Sequence, residues 1–491
     1  MIKLPIKTLG LSQSYQQYLV WVGCSVILSG VIGVVLALSY ESSIPILILL
    51  SAIGVLTFLS PQLAFFVTFL FLPFSFRFII PGRSLEVQTP TEPLLGMLIF
   101  VNFVQLVFDG STHSYRRIRK DKEILHKRIF PLKWPVILFI LMHFVSTINS
   151  PDTISSIKGS IRASVYILTS FLTFRLIEDR VDLRRLGLVA LPPAVVAVVW
   201  TIIVLIYNLD NWQWTSAYNG APFTNYTAYG QFTVTFLLIV LSKLLIDRSD
   251  YDRIIWLALL IVFTCGVLMC FSRGVWLALL LSIGFLILNL RQDNLGPKLA
   301  FAIVVSVILL VLLILPGTSN LIQERVFTMF DLKFASNQSR ILRWGQAFLM
   351  FLENPILGNG YGAFAMIYEE NPSLSGIYKA QFQLGVHSEH LRILAEMGVL
   401  GILTWLGVLF SFFRLGILAI NRTSDGFFRS LIVALLTIKV SMVLLFFFND
   451  LPEGDILAIP FWVVYGLLPA VVQISDQEKN KNNDRPNPTI Y

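Results

Sequence analysis

The 491-residue chain is 56% hydrophobic and only 13% charged, with a formal net charge of +8 and a mean hydropathy of +0.75. Soluble domains are about a quarter charged, so this composition excludes an ordinary soluble enzyme. In a chain this apolar, the basic excess points to cytoplasmic loop charge and not to a nucleic-acid surface.

A membrane span needs about 20 apolar residues, because a helix rises about 1.5 Å per residue across a hydrocarbon core of roughly 30 Å. In lipid, helices satisfy their own backbone hydrogen bonds. The chain therefore reads as an all-α polytopic membrane protein with about fourteen transmembrane helices (twelve to fourteen). Residues 1–18 form a cytoplasmic N-terminus. The first span, 19–39, is too long in its apolar part for a typical signal peptide and is expected to stay uncleaved. Spans at 44–59, 62–76, 93–109, 134–149, 161–177, 187–208, 226–246, 254–271, 274–290 and 298–316 complete a bundle over 19–316. A large outer loop, 317–390, follows; Ile341, Trp344, Phe348 and Phe351 stand there at helical spacing, so it is expected to contain packed helices. Spans 391–413, 428–448 and 456–474 close the membrane part, 391–474. The polar tail, 475–491, is expected to be disordered. Cys24, Cys265 and Cys270 lie in apolar runs with no metal-ligand spacing and read as small core residues.

The densest basic loop holds Arg116, Arg117, Arg119, Lys120, Lys122, Lys127, Arg128 and Lys133, which places it in the cytoplasm. Counting spans both ways brings Lys3 and Lys7, Arg180/Arg184/Arg185, 247–253, 291–298, 414–429 and the tail to the same side. The opposite face receives 40–43, 77–92, 150–160, 209–225, the joint at 271–274, the loop 317–390 and the turn 449–455.

Three features converge on that outer face. Ser272-Arg273-Gly274-Val275-Trp276 stands where one span ends and the next begins. An arginine there can simply snorkel to the interface, but its planar fork also suits a two-point grip on phosphate. Arg340-Ile-Leu-Arg343-Trp344 is followed by Pro355 and by Gly358, Gly360 and Gly362, whose alternation allows a sharp turn or close approach of the backbone to a ligand. His387-Ser388-Glu389-His390-Leu391 runs into Glu396, Gly398 and Gly401 at the start of a span. Histidine suits proton transfer near neutral pH, and a carboxylate just inside a membrane helix needs a partner or a task.

In order and spacing these motifs resemble the O-antigen ligase and O-antigen polymerase family of bacterial envelope glycosyltransferases. The resemblance rests on Ser272, Arg273, Gly274 and Trp276; on Arg340, Trp344 and Ala347; on Pro355, Gly358, Gly360, Gly362 and Phe364; and on His387, Ser388, Leu391, Glu396, Gly398 and Gly401. It covers roughly residues 260–415, and Ser388 stands where Asn is commoner. It implies a GT-C-like inverting enzyme of the bacterial inner membrane, with its active site facing the periplasm. Such an enzyme transfers or polymerises glycan units from an undecaprenyl-diphosphate carrier onto an acceptor glycan or glycolipid, with no cofactor and no required metal. In that reading His387, Arg273 and Arg340 are catalytic, and Ser272, Arg343, Trp344, Gly358, Gly360 and Glu396 bind substrate. The motifs are shared by ligases and polymerases; the span number leans towards a polymerase. Two other readings compete. One is a bicarbonate-type transporter of the same superfamily, disfavoured because the distinctive polar residues crowd the outer boundary and not the bilayer midplane. The other is a metal-dependent transferase using Asp450, Glu453 and Asp455, whose plain reading is a solvated acidic turn.

Overall fold

The apolar runs form helices whose ends are fixed by short polar side chains. The computed structural model describes residues 54, 57, 59–79, 86–108, 129–208, 218–223, 225–247, 253–289, 331, 335–370, 385–450 and 454–483. In chain order the helices are α1 (Pro61–Phe71), α2 (Thr91–Phe108), α3 (Lys133–Ser146), α4 (Thr153–Leu176), α5 (Arg180–Tyr207), α6 (Tyr226–Ile246), α7 (Arg253–Leu268), α8 (Arg273–Leu288), α9 (Ala335–Glu353), α10 (Ala363–Glu370), α11 (Glu389–Arg422), α12 (Gly426–Leu445) and α13 (Asp455–Asn483). Asp152, Asp179, Asn225 and Asp425 each accept backbone N–H groups of the first turn that follows them, at 2.7–3.3 Å. Such caps satisfy donors that a helix leaves unpaired where it meets water.

Among the described residues, five helices are long and apolar enough to cross a membrane: Arg180–Tyr207, Tyr226–Ile246, Glu389–Arg422, Gly426–Leu445 and Asp455–Lys481. Five shorter apolar helices lie at 61–74, 91–104, 133–149, 253–268 and 273–288. The spans expected at 19–39 and 298–316 lie outside the described residues, as does nearly all of 44–59. The closely spaced pair 254–271 and 274–290 is two helices, α7 and α8, tied at the joint by the Trp276 indole donating to the Val267 carbonyl at 2.9 Å.

Three features depart from the sequence expectation. The connection at 77–92 holds a short two-stranded antiparallel ribbon, β1 (Phe76–Ile79) against β2 (Glu86–Thr89), within an otherwise all-α fold. The tail is helical to Asn483, because Asp476–Lys481 are adequate helix formers and Glu478 meets Arg180 at 3.1 Å. Cys265, expected in the core, is exposed on α7, whereas Cys270 is buried.

Packing is tightest between α13 and α4, where Gly466 lies so close to the backbone of Ser170 that a Cβ would collide with it. Small residues at such crossings let membrane helices approach closely. An aromatic layer follows, Phe139 to Trp405 at 5.4 Å, Trp405 to Phe461 at 5.5 Å and Trp462 to Tyr465 at 5.7 Å. It encloses Lys439 of α12, fully buried, which donates to the Phe461 carbonyl at 2.6 Å with its ammonium 3.3 Å from that ring's centre. Among the described residues no acid pairs with Lys439, and a buried amine in that position needs such a shell of carbonyl and ring faces.

Candidate functional site

The site begins with an interruption in α11. Gly398 has φ 66° and ψ −164°, which splits the helix after Met397. The groups released there are taken by the chain at 355–360: Gly360 N–H donates to the Glu396 carbonyl at 2.9 Å, Asn359 N–H to the Ala395 carbonyl at 3.2 Å, and Val399 N–H to the Pro355 carbonyl at 2.8 Å. A break in a membrane helix is tolerated where protein re-satisfies the freed backbone in this way. Gly358 (φ 74°) and Gly360 (φ 101°) are required by this contact. A Cβ on Gly358 would strike the Glu396 carbonyl carbon, and one on Gly360 would strike Ser150. Asn359, which the sequence reading passed over, secures the turn by donating from its side chain to the Met350 and Ala395 carbonyls at 2.7 and 3.0 Å.

Glu396 has its own partners behind this turn. It accepts from Phe364 N–H at 3.2 Å and from Arg392 Nη1 at 3.0 Å. Arg392 also grips Glu389 through two bonds, at 2.9 and 2.7 Å, and lies 4.9 Å from the Tyr361 ring centre. Glu389, Arg392 and Glu396 thus form a buried triad on one face of α11. The signal was present as acid and base at three- and four-residue spacing, but only Glu396 was singled out.

The remaining candidates gather around Arg340. Arg273, the first residue of α8, donates to Asn337 Oδ1 at 3.3 Å. Arg343 of α9 donates to the Gly385 carbonyl at 3.1 Å. Arg340 lies within electrostatic reach of both, and its pKa is lowered by burial first and also by their positive charges, the Tyr226 phenol acting the other way. Among the described residues no acidic side chain forms an ion pair with Arg340 or Arg343, and the buried Nε of Arg343 and Nε1 of Trp344 have no hydrogen-bond partner. Ser272 is buried with its hydroxyl 3.5 Å from that of Thr227.

His387 faces this cluster. Burial, then the charges of Arg343 and Arg340, push its imidazole down to about 4, so it is neutral and unprotonated near pH 7. Its ring makes no hydrogen bond among the described residues. The backbone is left-handed at φ 56°, unusual for a residue with a Cβ; Phe271, beside the serine–arginine motif, is the other such case among the described residues, at φ 50°. Asp450 holds the turn: His387 N–H donates to its Oδ2 at 3.1 Å and Ser388 N–H to its Oδ1 at 2.9 Å. Of the acidic turn weighed as a metal site and read as solvated, Asp450 is therefore engaged at the start of α11. Asp455 is buried against Thr91, and Glu453 lies outside the described residues. His390 differs from His387: the Trp405 indole donates to its Nδ1 at 3.1 Å and its Nε2 meets the Val443 carbonyl at 3.3 Å, so both ring nitrogens are used.

An apolar cleft of about 440 Å3 adjoins the cluster, sharing Trp344 and Ser388 with it. Leu277 and Leu281 of α8, Leu391 of α11 and Leu444 of α12 supply much of its wall.

The structure thus brings Arg273, Arg343 and His387 within electrostatic reach of Arg340, with Trp344 next to Arg343 on α9, and sets Gly358, Gly360 and Glu396 at the repaired break in α11. No curated protein matches the chain. Residues 257–406 match the family model described as O-antigen ligase, a stretch that contains all three motifs.

Proposed function

We propose that this membrane protein, which carries the O-antigen ligase domain over 257–406, joins glycans by taking one from a polyprenyl diphosphate and transferring it to an acceptor sugar hydroxyl on the outer face. The observation that carries the reading is the group of three guanidinium side chains from two separate elements, with His387 beside two of them and, among the described residues, no carboxylate paired to Arg340 or Arg343. Uncompensated buried positive charge is costly on its own and is relieved by an anion. A diphosphate supplies about two to three negative charges, and the planar forks of arginine fit its oxygens in pairs.

In the reaction, the acceptor oxygen attacks the anomeric carbon of the donor sugar from the face opposite the leaving group. Its proton passes to the neutral imidazole of His387. The bond from the anomeric carbon to the phosphate oxygen breaks, and the electron pair leaves on the diphosphate. Charge grows on those oxygens in the transition state, where fixed guanidinium groups act most strongly. The two roles are coupled. Without donor, the arginines suppress the basicity of His387; a bound diphosphate offsets them and lets the imidazole accept a proton more readily. Ser272 and Trp344 border the site and suit contact with the donor. Glu396, Gly358 and Gly360 act by holding the turn against α11.

The test is transfer by the purified protein in vesicles containing a polyprenyl-diphosphate glycan and an acceptor glycan. Transfer that is lost in both Arg340→Lys and Arg273→Lys supports the reading, since lysine keeps the charge and loses the fork. Full activity in both variants rejects it. In cells, deletion separates two acceptors: loss of long chains with one repeat still attached means polymerisation, and loss of the first attachment means ligation.

A further inference from the structure

The helix that carries Arg340 and Arg343 has two unlike faces. Arg343, Ala347 and Met350 are buried on one side. On the other, Ile341, Leu342, Phe348, Leu349 and Leu352 are all exposed, the last at 57%. They share one face of the helix, the pair at 341–342 standing two turns before the pair at 348–349, with Gly345 between them and Leu352 one turn further on. Soluble surfaces rarely leave a contiguous apolar patch of this kind uncovered.

What covers the stripe follows from where it leads. It continues past the end of α9 to Ile356, which is 64% exposed. The Ile356 carbonyl accepts from Leu400 N–H at 3.3 Å, and the Pro355 carbonyl from Val399 N–H at 2.8 Å. Val399, Leu400 and Leu403 are exposed too, and they belong to a helix long and apolar enough to cross a membrane. The stripe is therefore an extension of the apolar surface that this span presents to lipid. We infer that α9 lies in the membrane interface, with its apolar face seated in the acyl region of the leaflet at the outer end of α11, and is not a helix of a water-exposed loop.

This placement has a consequence for the arginines. An interfacial helix sinks its apolar face roughly 5–10 Å into the boundary between headgroups and acyl chains. A helix with its side chains is about 10 Å across. Arg340 and Arg343, on the opposite side, then stand at the depth of lipid phosphates. A lipid-linked diphosphate would meet them without its chain leaving the bilayer.

The inference rests on the membrane assignment and not on the proposed reaction, so it is tested without turnover. A nitroxide is attached to Phe348→Cys or Leu352→Cys in a Cys24→Ser/Cys265→Ser background. The protein is placed in vesicles of phosphatidylethanolamine and phosphatidylglycerol. The reference label is native Cys265, exposed on the apolar helix α7, in a Cys24→Ser background. Both α9 labels, like the reference, are expected to be more accessible to oxygen than to a water-soluble nickel chelate. Preferential access to the nickel chelate would overturn the inference. Exclusion of both reagents would overturn it as well, since another stretch of protein would then cover the face; a spin–spin distance between labels would identify that cover as a second copy. Measured depth does not depend on catalysis, so an inactive protein with lipid-seated labels refutes the transfer reading alone.

Discussion

At the scale of single residues, the site is built around a strained backbone. His387 is left-handed in a position where a side chain costs roughly 1–2 kcal/mol, and Asp450 holds it there through two N–H groups. His387→Ala should lower transfer about 10²–10⁴-fold, the usual worth of a general base, in a protein that still inserts. His390→Ala should change it only a few-fold, because that ring is tied to Trp405 and Val443. A purified transfer assay ranks the two; the reverse order rejects the assignment. The pH profile carries a second prediction. A pKa depressed to about 4 leaves His387 a proton acceptor at neutral pH, and this capacity is lost as pH falls through that value. The acid limb of kcat/KM, which reports the free enzyme, should lie near 4. The acid limb of kcat should lie higher, because bound diphosphate offsets Arg340 and Arg343. Coincident limbs would show that donor charge does not reach the imidazole.

At the scale of elements, the interrupted helix α11 and the turn at 355–362 depend on each other. Gly358→Ala sets a Cβ against the Glu396 carbonyl at a positive φ, so both conformation and space oppose it. It should cost several kcal/mol, within the range of severe single substitutions, and appear as a large loss of folded protein on heating in detergent. The triad behind the turn makes a different prediction. Arg392→Met strands the buried carboxylates of Glu389 and Glu396, and breaking a buried pair by removing one partner costs about 3–5 kcal/mol. Glu396→Gln keeps an acceptor for Phe364 N–H and leaves Arg392 its two bonds to Glu389, so it should be much milder. Equal losses in the two melting curves would show that the triad's charge balance is unimportant.

For the whole molecule, the distribution of basic residues predicts orientation. Arg180, Arg184 and Arg185 open α5, while Thr153 opens α4 at the other end of the adjacent span. Thr153→Cys should react with an impermeant thiol reagent in intact cells, and Arg184→Cys only after permeabilisation; the opposite pattern would invert the site. At the basic end, Arg180 ties Asp425 at 3.2 Å and Glu478 at 3.1 Å. Such half-exposed pairs are worth no more than about 1 kcal/mol each, so the bundle is held by helix packing and not by this clasp.

Hydropathy alone determined the membrane class, the existence of a two-helix joint (read at 271–274, found at 269–272) and the bounds of α6, because a helix in lipid must be long, apolar and internally bonded whatever surrounds it. Motif spacing also marked Arg273, Arg340, Arg343 and His387, since the proposed phosphate grip and proton transfer require particular side chains. What the spacing could not separate is which motif residues face substrate and which hold the turn. Gly358, Gly360 and Glu396 stand in the same run as the arginines, yet the tertiary structure uses them to repair the break at Gly398. The roles of Asn359 and Asp450 were equally hidden. Each acts on a backbone group brought near by chain folding, and Asp450 reaches His387 across 63 residues. The two histidines were distinguishable only as pattern in the sequence; Trp405, fifteen residues further along the same helix, decides physically which imidazole is occupied.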